Sequence, residues 1–88
     1  MAYRVTIRST AERRLERMPD KVRKLFYLLA EDLRADGPIQ ASWPNYSRLG
    51  QDRYHCHLTR RHVACWRCAK HSTEVEVYYV GSREDAPY

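Results

Sequence analysis

Glycine is scarce in this 88-residue chain, with three residues, and phenylalanine scarcer, with one. No apolar stretch approaches the roughly 18 to 20 residues that a bilayer-spanning helix needs, which excludes such a helix. Three cysteines, Cys56, Cys65 and Cys68, make an odd number. No charged-then-apolar leader precedes Tyr3, so a secreted disulfide scaffold is not expected and the cytosol is the expected compartment. Acidic side chains are outnumbered, 11 against 16 Lys and Arg, leaving a net charge of +5 that favours an anionic partner, either nucleic acid or an acidic protein. There is no internal repeat or low-complexity segment. A chain of this size supports one domain, residues 1–88, whose modest core leaves little apolar surface for a buried cavity. Any chemistry should sit on a surface or in a shallow groove.

What is present divides into two halves. Tyr3, Val5 and Ile7 alternate with Arg4, Thr6 and Arg8, the period of a half-buried strand. Ser9 and Glu12 have the spacing of a capping box ahead of a helix carrying Ala11, Leu15 and Met18 on one stripe, and Met18-Pro19 ends it. Asp20 opens a second helix with Val22, Leu25, Phe26, Leu29 and Leu33 at three- and four-residue steps, stopped by Asp36-Gly37-Pro38. Joined by a tight turn, the two helices predict an antiparallel hairpin lying on one face of a sheet. Lys21, Arg23 and Lys24 crowd the start of the second helix and Glu31, Asp32 and Asp36 its end, against the helix dipole.

Residues 39–51 read as a connecting loop. Residues 53–59, 63–68 and 73–80 read as three short strands in a meander, broken by Arg60-Arg61 and by Lys70-His71-Ser72. The order strand, helix, helix, strand, strand, strand predicts an α+β fold with a small, mainly antiparallel sheet.

The chemistry-bearing residues gather on that meander. In the first of its strands Tyr54, Cys56 and Leu58 alternate with Arg53, His55, His57 and Thr59, so His55 and His57 share a face, about 7 Å apart. Arg60, Arg61 and His62 crowd the next turn, where like charges repel unless an anion neutralises them. Together with Arg48 and Arg53 they are candidate phosphate-binding residues. In the last strand Val75, Val77 and Tyr79 alternate with Glu74, Glu76 and Tyr78 before Val80-Gly81-Ser82-Arg83, with Tyr88 five residues on. Imidazole, guanidinium and phenol suit RNA cleavage by attack of the 2′-OH on the adjacent phosphorus, which needs a base, an acid and cations for the phosphoryl oxygens. That chemistry requires no metal. Trp43 and Tyr46 are candidate base-stacking residues, whereas Trp66, mid-strand, belongs to the core. Cys65 and Cys68 cannot grip one zinc ion from a regular strand, because residues three apart point to opposite faces.

Taken as an ordered set, the Tyr-Arg-Val first strand, the helix hairpin, the Tyr-x-x-x-Leu strand from Tyr54 and the Val80-Gly81-Ser82-Arg83…Tyr88 ending resemble the RelE/ParE toxin superfamily of bacterial toxin–antitoxin systems. The resemblance spans nearly the whole chain. It implies a RelE-like fold and, in the RelE branch, a ribosome-dependent endoribonuclease that cuts mRNA in the A site without a cofactor and is held neutral by a cognate antitoxin. Carried over residue by residue, it assigns His55, His57, Arg83 and Tyr88 as catalytic. His55 and His57 stand where typical members have lysine or arginine, and the family's arginine near the start of the middle meander strand falls on Arg61 or His62. The same resemblance leaves two other functions open, a ParE-like poison of DNA gyrase and a catalytically inactive binding module.

Overall fold

The computed structural model describes residues 2–88. Its elements are β1 (Arg4–Ile7), α1 (Ser9–Glu16), α2 (Asp20–Asp36), β2 (Ser47–Arg48), β3 (Arg53–His57), β4 (His62–Arg67) and β5 (Glu74–Ser82). The strands form a five-stranded sheet in the order β1-β5-β4-β3-β2. β1 pairs with β5 in parallel and the other pairs are antiparallel. The α+β architecture expected from the sequence is the one observed, with one strand added: Ser47–Arg48 lies inside the segment read as a loop and pairs with β3 as an edge strand.

Both helices bury their stripes on one face of the sheet. Ala11 and Leu15 of α1 and Val22, Phe26, Leu29 and Leu33 of α2 share one core with Tyr54, Cys56, Ala64, Trp66, Val75, Val77 and Val80. Trp66 is fully buried, and its indole N–H donates to the Pro38 carbonyl at 3.0 Å. Tyr46, Tyr54 and Trp66 stack upon one another with ring centroids 6.2–6.3 Å apart, so the segment after α2 closes the helix side of the sheet. Buried Gln40 fastens it, donating to the carbonyls of Asp32 and Gly37 at 3.0 and 2.8 Å.

The capping box does not form. Ser9 is already helical, Arg8 occupies the N-cap position, and no side chain caps the helix. The reversed charges of α2 have a local explanation. Arg23 donates to the carbonyls of Met18 and, more weakly, Glu16 at the end of α1, and it pairs with Asp20. It therefore serves the carboxyl end of α1, where a cation is favourable. α2 stops at Gly37, whose φ of 86° and closeness to Tyr3, 2.5 Å from any added Cβ, admit no side chain.

One irregularity matters for everything that follows. Between β4 and β5 the register shifts at Cys65/Trp66: Cys65 faces Tyr79 while Trp66 faces Val77, leaving Tyr78 as the extra residue of a bulge. Strict alternation would place Tyr79 with Val75 and Val77. Instead Tyr78 and Tyr79 both lie on the face away from the helices, in a second cluster with Val63, Cys65, Leu49 and Ala86. Beyond the bulge Val80 joins the main core, Gly81 the open face, and every later residue of β5 is inverted relative to the simple reading.

Candidate active site

The open face is ordered in rows across the strands. Ser47, His55, Cys65 and Tyr79 are cross-strand neighbours in one row, and His57, Val63 and Gly81 in the next. The shared face expected for His55 and His57 is found, with ring centroids 5.6 Å apart. The two differ in surroundings. His55 is 7% exposed, with its Nδ1 3.0 Å from Ser47 Oγ. His57 is only partly covered, and its backbone N–H donates to the Pro44 carbonyl at 2.8 Å. Burial lowers the pKa of both imidazoles; the neighbouring His57 charge lowers His55 further and the Arg83 charge lowers His57 further. Both rings are therefore neutral at pH 7, the state that accepts a proton.

Arg83 reaches this face because of the bulge. Without it, alternation from Val77 would direct Arg83 toward the helices. Its backbone N–H donates to the Arg61 carbonyl at 2.7 Å, which fastens the chain beyond β5 to the β3–β4 turn. A hollow of about 370 Å3 is lined by His57, Arg83, Arg60, Thr59, Pro44 and Asn45, and an adjoining one of about 290 Å3 by Arg60, Arg61 and Arg83. Two arginines thus share a hollow with the His57 imidazole and a third lines the hollow beside it, an arrangement suited to an anion with several oxygens. Tyr79 supports it from beneath. Its Oη donates to the Ser82 carbonyl at 2.7 Å, and its ring occupies the space a side chain at Gly81 would need.

The tail folds back over the sheet. Ala86 packs against the Val63, Cys65 and Tyr79 cluster, and the Tyr88 ring lies 4.6 Å from that of His55. Burial raises the Tyr88 pKa, with the Cys65 thiol adding to the rise and Arg83 partly opposing it, so the phenol keeps its proton at neutral pH.

The structure thus brings together His55, His57, Arg83 and Tyr88, with Arg60 and Arg61 at one end and Arg53 two residues before His55. His62 stands at the margin: it has the parity of Ala64 and Trp66, and its Nδ1 lies 2.9 Å from Thr59 Oγ1, yet it lines a hollow of about 580 Å3 with Arg61, Ser82, Arg83 and Glu84. Arg48, Trp43 and Tyr46 lie away from the histidine pair. Arg48 pairs with Tyr54 on the helix side, its guanidinium 5.5 Å from that ring. Trp43 donates from its indole to Asp32 Oδ2 at 2.8 Å, and Tyr46 stacks within the aromatic group on the helix side. Directly across from His57 stands Val63, and Arg61 lies just before β4 begins. A hollow of about 640 Å3 at the other end of the sheet, lined in part by Tyr3, Arg48, Tyr54 and His71, shares no side chain with the histidine pair.

Sequence reasoning missed Ser47 and Tyr79. A two-residue strand shows no period, and a bulge leaves none either. All three cysteines are free and buried, and among the described residues no group of three or more His, Cys, Asp or Glu side chains is placed to hold a metal ion. Among them, too, no helix is long and apolar enough to cross a membrane.

No protein-family model matches the chain, and no curated protein matches it either. Solved structures do. The chain superposes on RelE in the archaeal RelE–RelB complex from Pyrococcus horikoshii with a TM-score of 0.76 at 16% identity, over 98% of this chain and 100% of that one. The isolated E. coli RelE toxin gives 0.71 at 24% identity, over 98% and 89%. The YoeB dimer from Staphylococcus aureus gives 0.72 at 10% identity, over 90% and 94%. The fold is that of the RelE-like toxins of toxin–antitoxin systems. Coverage is nearly complete in both directions, so the fold resemblance extends from the first strand to the folded-back tail.

Proposed function

We propose that this chain is the toxin of a toxin–antitoxin pair and a ribosome-dependent endoribonuclease of the RelE branch, cutting mRNA by attack of a 2′-OH on the adjacent phosphorus. The observation that carries this reading is the convergence of His55, His57, Arg83 and Tyr88 on the face the helices leave open. One neutral imidazole takes the 2′-OH proton while the 2′-oxygen bonds to phosphorus. The bond from phosphorus to the 5′-oxygen breaks, and that oxygen takes a proton from the second acid. A bound phosphate raises the pKa of a nearby histidine by its negative charge, so one imidazole of the pair holds the proton the leaving oxygen needs; Tyr88, protonated beside His55, is the other donor within the site. Arg83, with Arg60 and Arg61, stabilises the charge that builds on the phosphoryl oxygens. The products are a 2′,3′-cyclic phosphate and a 5′-OH.

The partner proposed alongside is a cognate antitoxin. RelE is found bound to RelB and YoeB to YefM in solved complexes, and the net charge of +5 suits an acidic covering segment. The competing reading, a gyrase poison on the same fold, has no use for a paired-histidine face with a convergent arginine. Induced expression followed by mapping of mRNA 5′ ends on translating ribosomes separates them. Cuts placed within codons support the nuclease; their absence together with inhibited supercoiling supports the gyrase poison.

A further inference from the structure

The histidine pair has a second set of cations on its other side. Arg53 lies two residues before His55 on β3, a step of about 7 Å along the same face, and stands directly across from Arg67 of β4. Both are exposed. Like charges facing one another across a strand pair are destabilising unless an anion separates them. Arg67 is in turn the cross-strand neighbour of Glu76, but Glu76 is already engaged by Arg8, 3.1 Å away. Among the described residues neither Arg53 nor Arg67 forms a salt bridge.

Among them stands Tyr78, the extra residue of the bulge. A regular β5 would still turn Tyr78 to this face, but would not set Tyr79 beside it; the bulge seats both rings here. The Arg8 guanidinium lies 5.6 Å from the Tyr78 ring centroid, and the charges of Arg53, Arg67 and Arg8 all bear on its phenol. The ring is half-buried, packed against the cluster of Val63, Cys65 and Tyr79 that underlies His55. A half-buried aromatic ring flanked by cations is a platform for a base whose phosphate the cations take.

We propose that Tyr78, Arg8, Arg53 and Arg67 form a nucleotide subsite for single-stranded RNA, stacking the base of the residue next to the cut phosphate on Tyr78 and holding its phosphate between Arg53 and Arg67. The inference rests on the nuclease reading of the same face and extends it. The message crosses the sheet along β3, from the Arg53–Arg67 pair, past His55 and His57, to the Arg60, Arg61 and Arg83 hollows. Arg83 then holds the reacting phosphate, and Arg53 and Arg67 the one next to it.

The test is titration of the full chain with a 2′-O-methyl tetranucleotide, which cannot be cut, and with the same oligonucleotide carrying abasic positions. Tyr78→Ala weakens binding of the intact oligonucleotide about tenfold, the size of one lost base stack, and Tyr78→Phe, which keeps the ring, binds like the parent. Arg67→Gln weakens binding and reduces its salt dependence. The abasic oligonucleotide does not distinguish Tyr78→Ala from the parent. Equal affinity of Tyr78→Ala and the parent for the intact oligonucleotide overturns the subsite. So does equal sensitivity to the abasic and intact ligands, which would leave a charge-only surface such as an acidic protein segment would use, and so does a parent chain that binds neither. Message cutting on ribosomes is scored separately. Tyr78-dependent binding by a chain that cuts nothing supports the subsite and sinks the nuclease; cutting without Tyr78-dependent binding does the reverse.

Discussion

Replacing Gly81 with alanine tests the link between the bulge and the site. The added Cβ would lie 2.6 Å from Tyr79 Oη, 2.8 Å from Cζ and 3.4 Å from Cε1. The first two are shorter than real Cβ contacts, so the Tyr79 ring must swing. It is 6% exposed, donates to the Ser82 carbonyl at 2.7 Å and lies 5.3 Å from the Arg14 guanidinium, so there is little room to move. Overpacking of this kind costs about 1–3 kcal/mol, and loss of the Tyr79–Ser82 hydrogen bond adds about 0.5–1.5 kcal/mol. The restricted unfolded chain offsets roughly 0.4–1 kcal/mol. Gly81→Ala is therefore expected to be destabilised by about 0.5–4 kcal/mol, read as a shift of the urea midpoint at unchanged m-value with tryptophan fluorescence as the probe. The same substitution in a Tyr79→Ser background, where the ring is gone, should cost almost nothing, giving a coupling above about 1 kcal/mol. A penalty under about 0.5 kcal/mol, or an equal penalty in both backgrounds, refutes the packing argument. Because Ser82 leads directly to Arg83, Gly81→Ala should also slow message cutting beyond what its stability loss explains.

The histidines predict a pH dependence with a definite sign. Both have folded pKa values below the ordinary 6.5, so between those values and 6.5 the unfolded chain binds more protons. Stability should be full above pH 6.5 and fall as the pH drops toward the folded values, and His55→Gln with His57→Gln should flatten that slope in urea titrations across pH 4.5–8. Cys56 and Cys65, their thiols pushed up to about 12 by burial, should resist an aromatic disulfide reagent at pH 8 until the chain is unfolded; rapid reaction of the native protein contradicts their placement. Trp66→Ala should cost about 3–5 kcal/mol. Trp43→Phe, which loses the bond to Asp32, should cost only about 1 kcal/mol and leave RNA cutting unchanged; a large loss of cutting would restore Trp43 as a base-stacking residue.

Most of the fold was legible in periodicity. The 3.6-residue stripe of α2 and the alternation of Tyr3, Val5 and Ile7 named the buried side chains and the face they pack on. His55 and His57 followed from the same parity, since β3 is regular from Arg53 to His57. Parity failed where the chain departs from regularity. Reading β5 as strictly alternating put Tyr79 in the main core, and carried onward it would have turned Arg83 away from the histidines, whereas Arg83 lines a hollow with His57. The bulge has no local signature, because Tyr78-Tyr79-Val80 is a good strand sequence in either register. Ser47 escaped notice for a related reason, as two residues at a sheet edge carry no pattern of their own. Tyr46 and Trp43 sit in the segment with the turn chemistry, which gave no hint that their rings would be spent closing the helix side.

The central claim is that the histidine face cuts RNA by 2′-OH attack, and the ends it leaves test that claim most directly. Message isolated from translating ribosomes after induction should carry 2′,3′-cyclic phosphates on the upstream fragments and 5′-OH groups on the downstream ones, with both disappearing in His55→Ala/His57→Ala. Upstream fragments ending in 3′-OH and downstream ones in 5′-phosphate, or cyclic-phosphate ends made as fast by the double variant, would contradict the account.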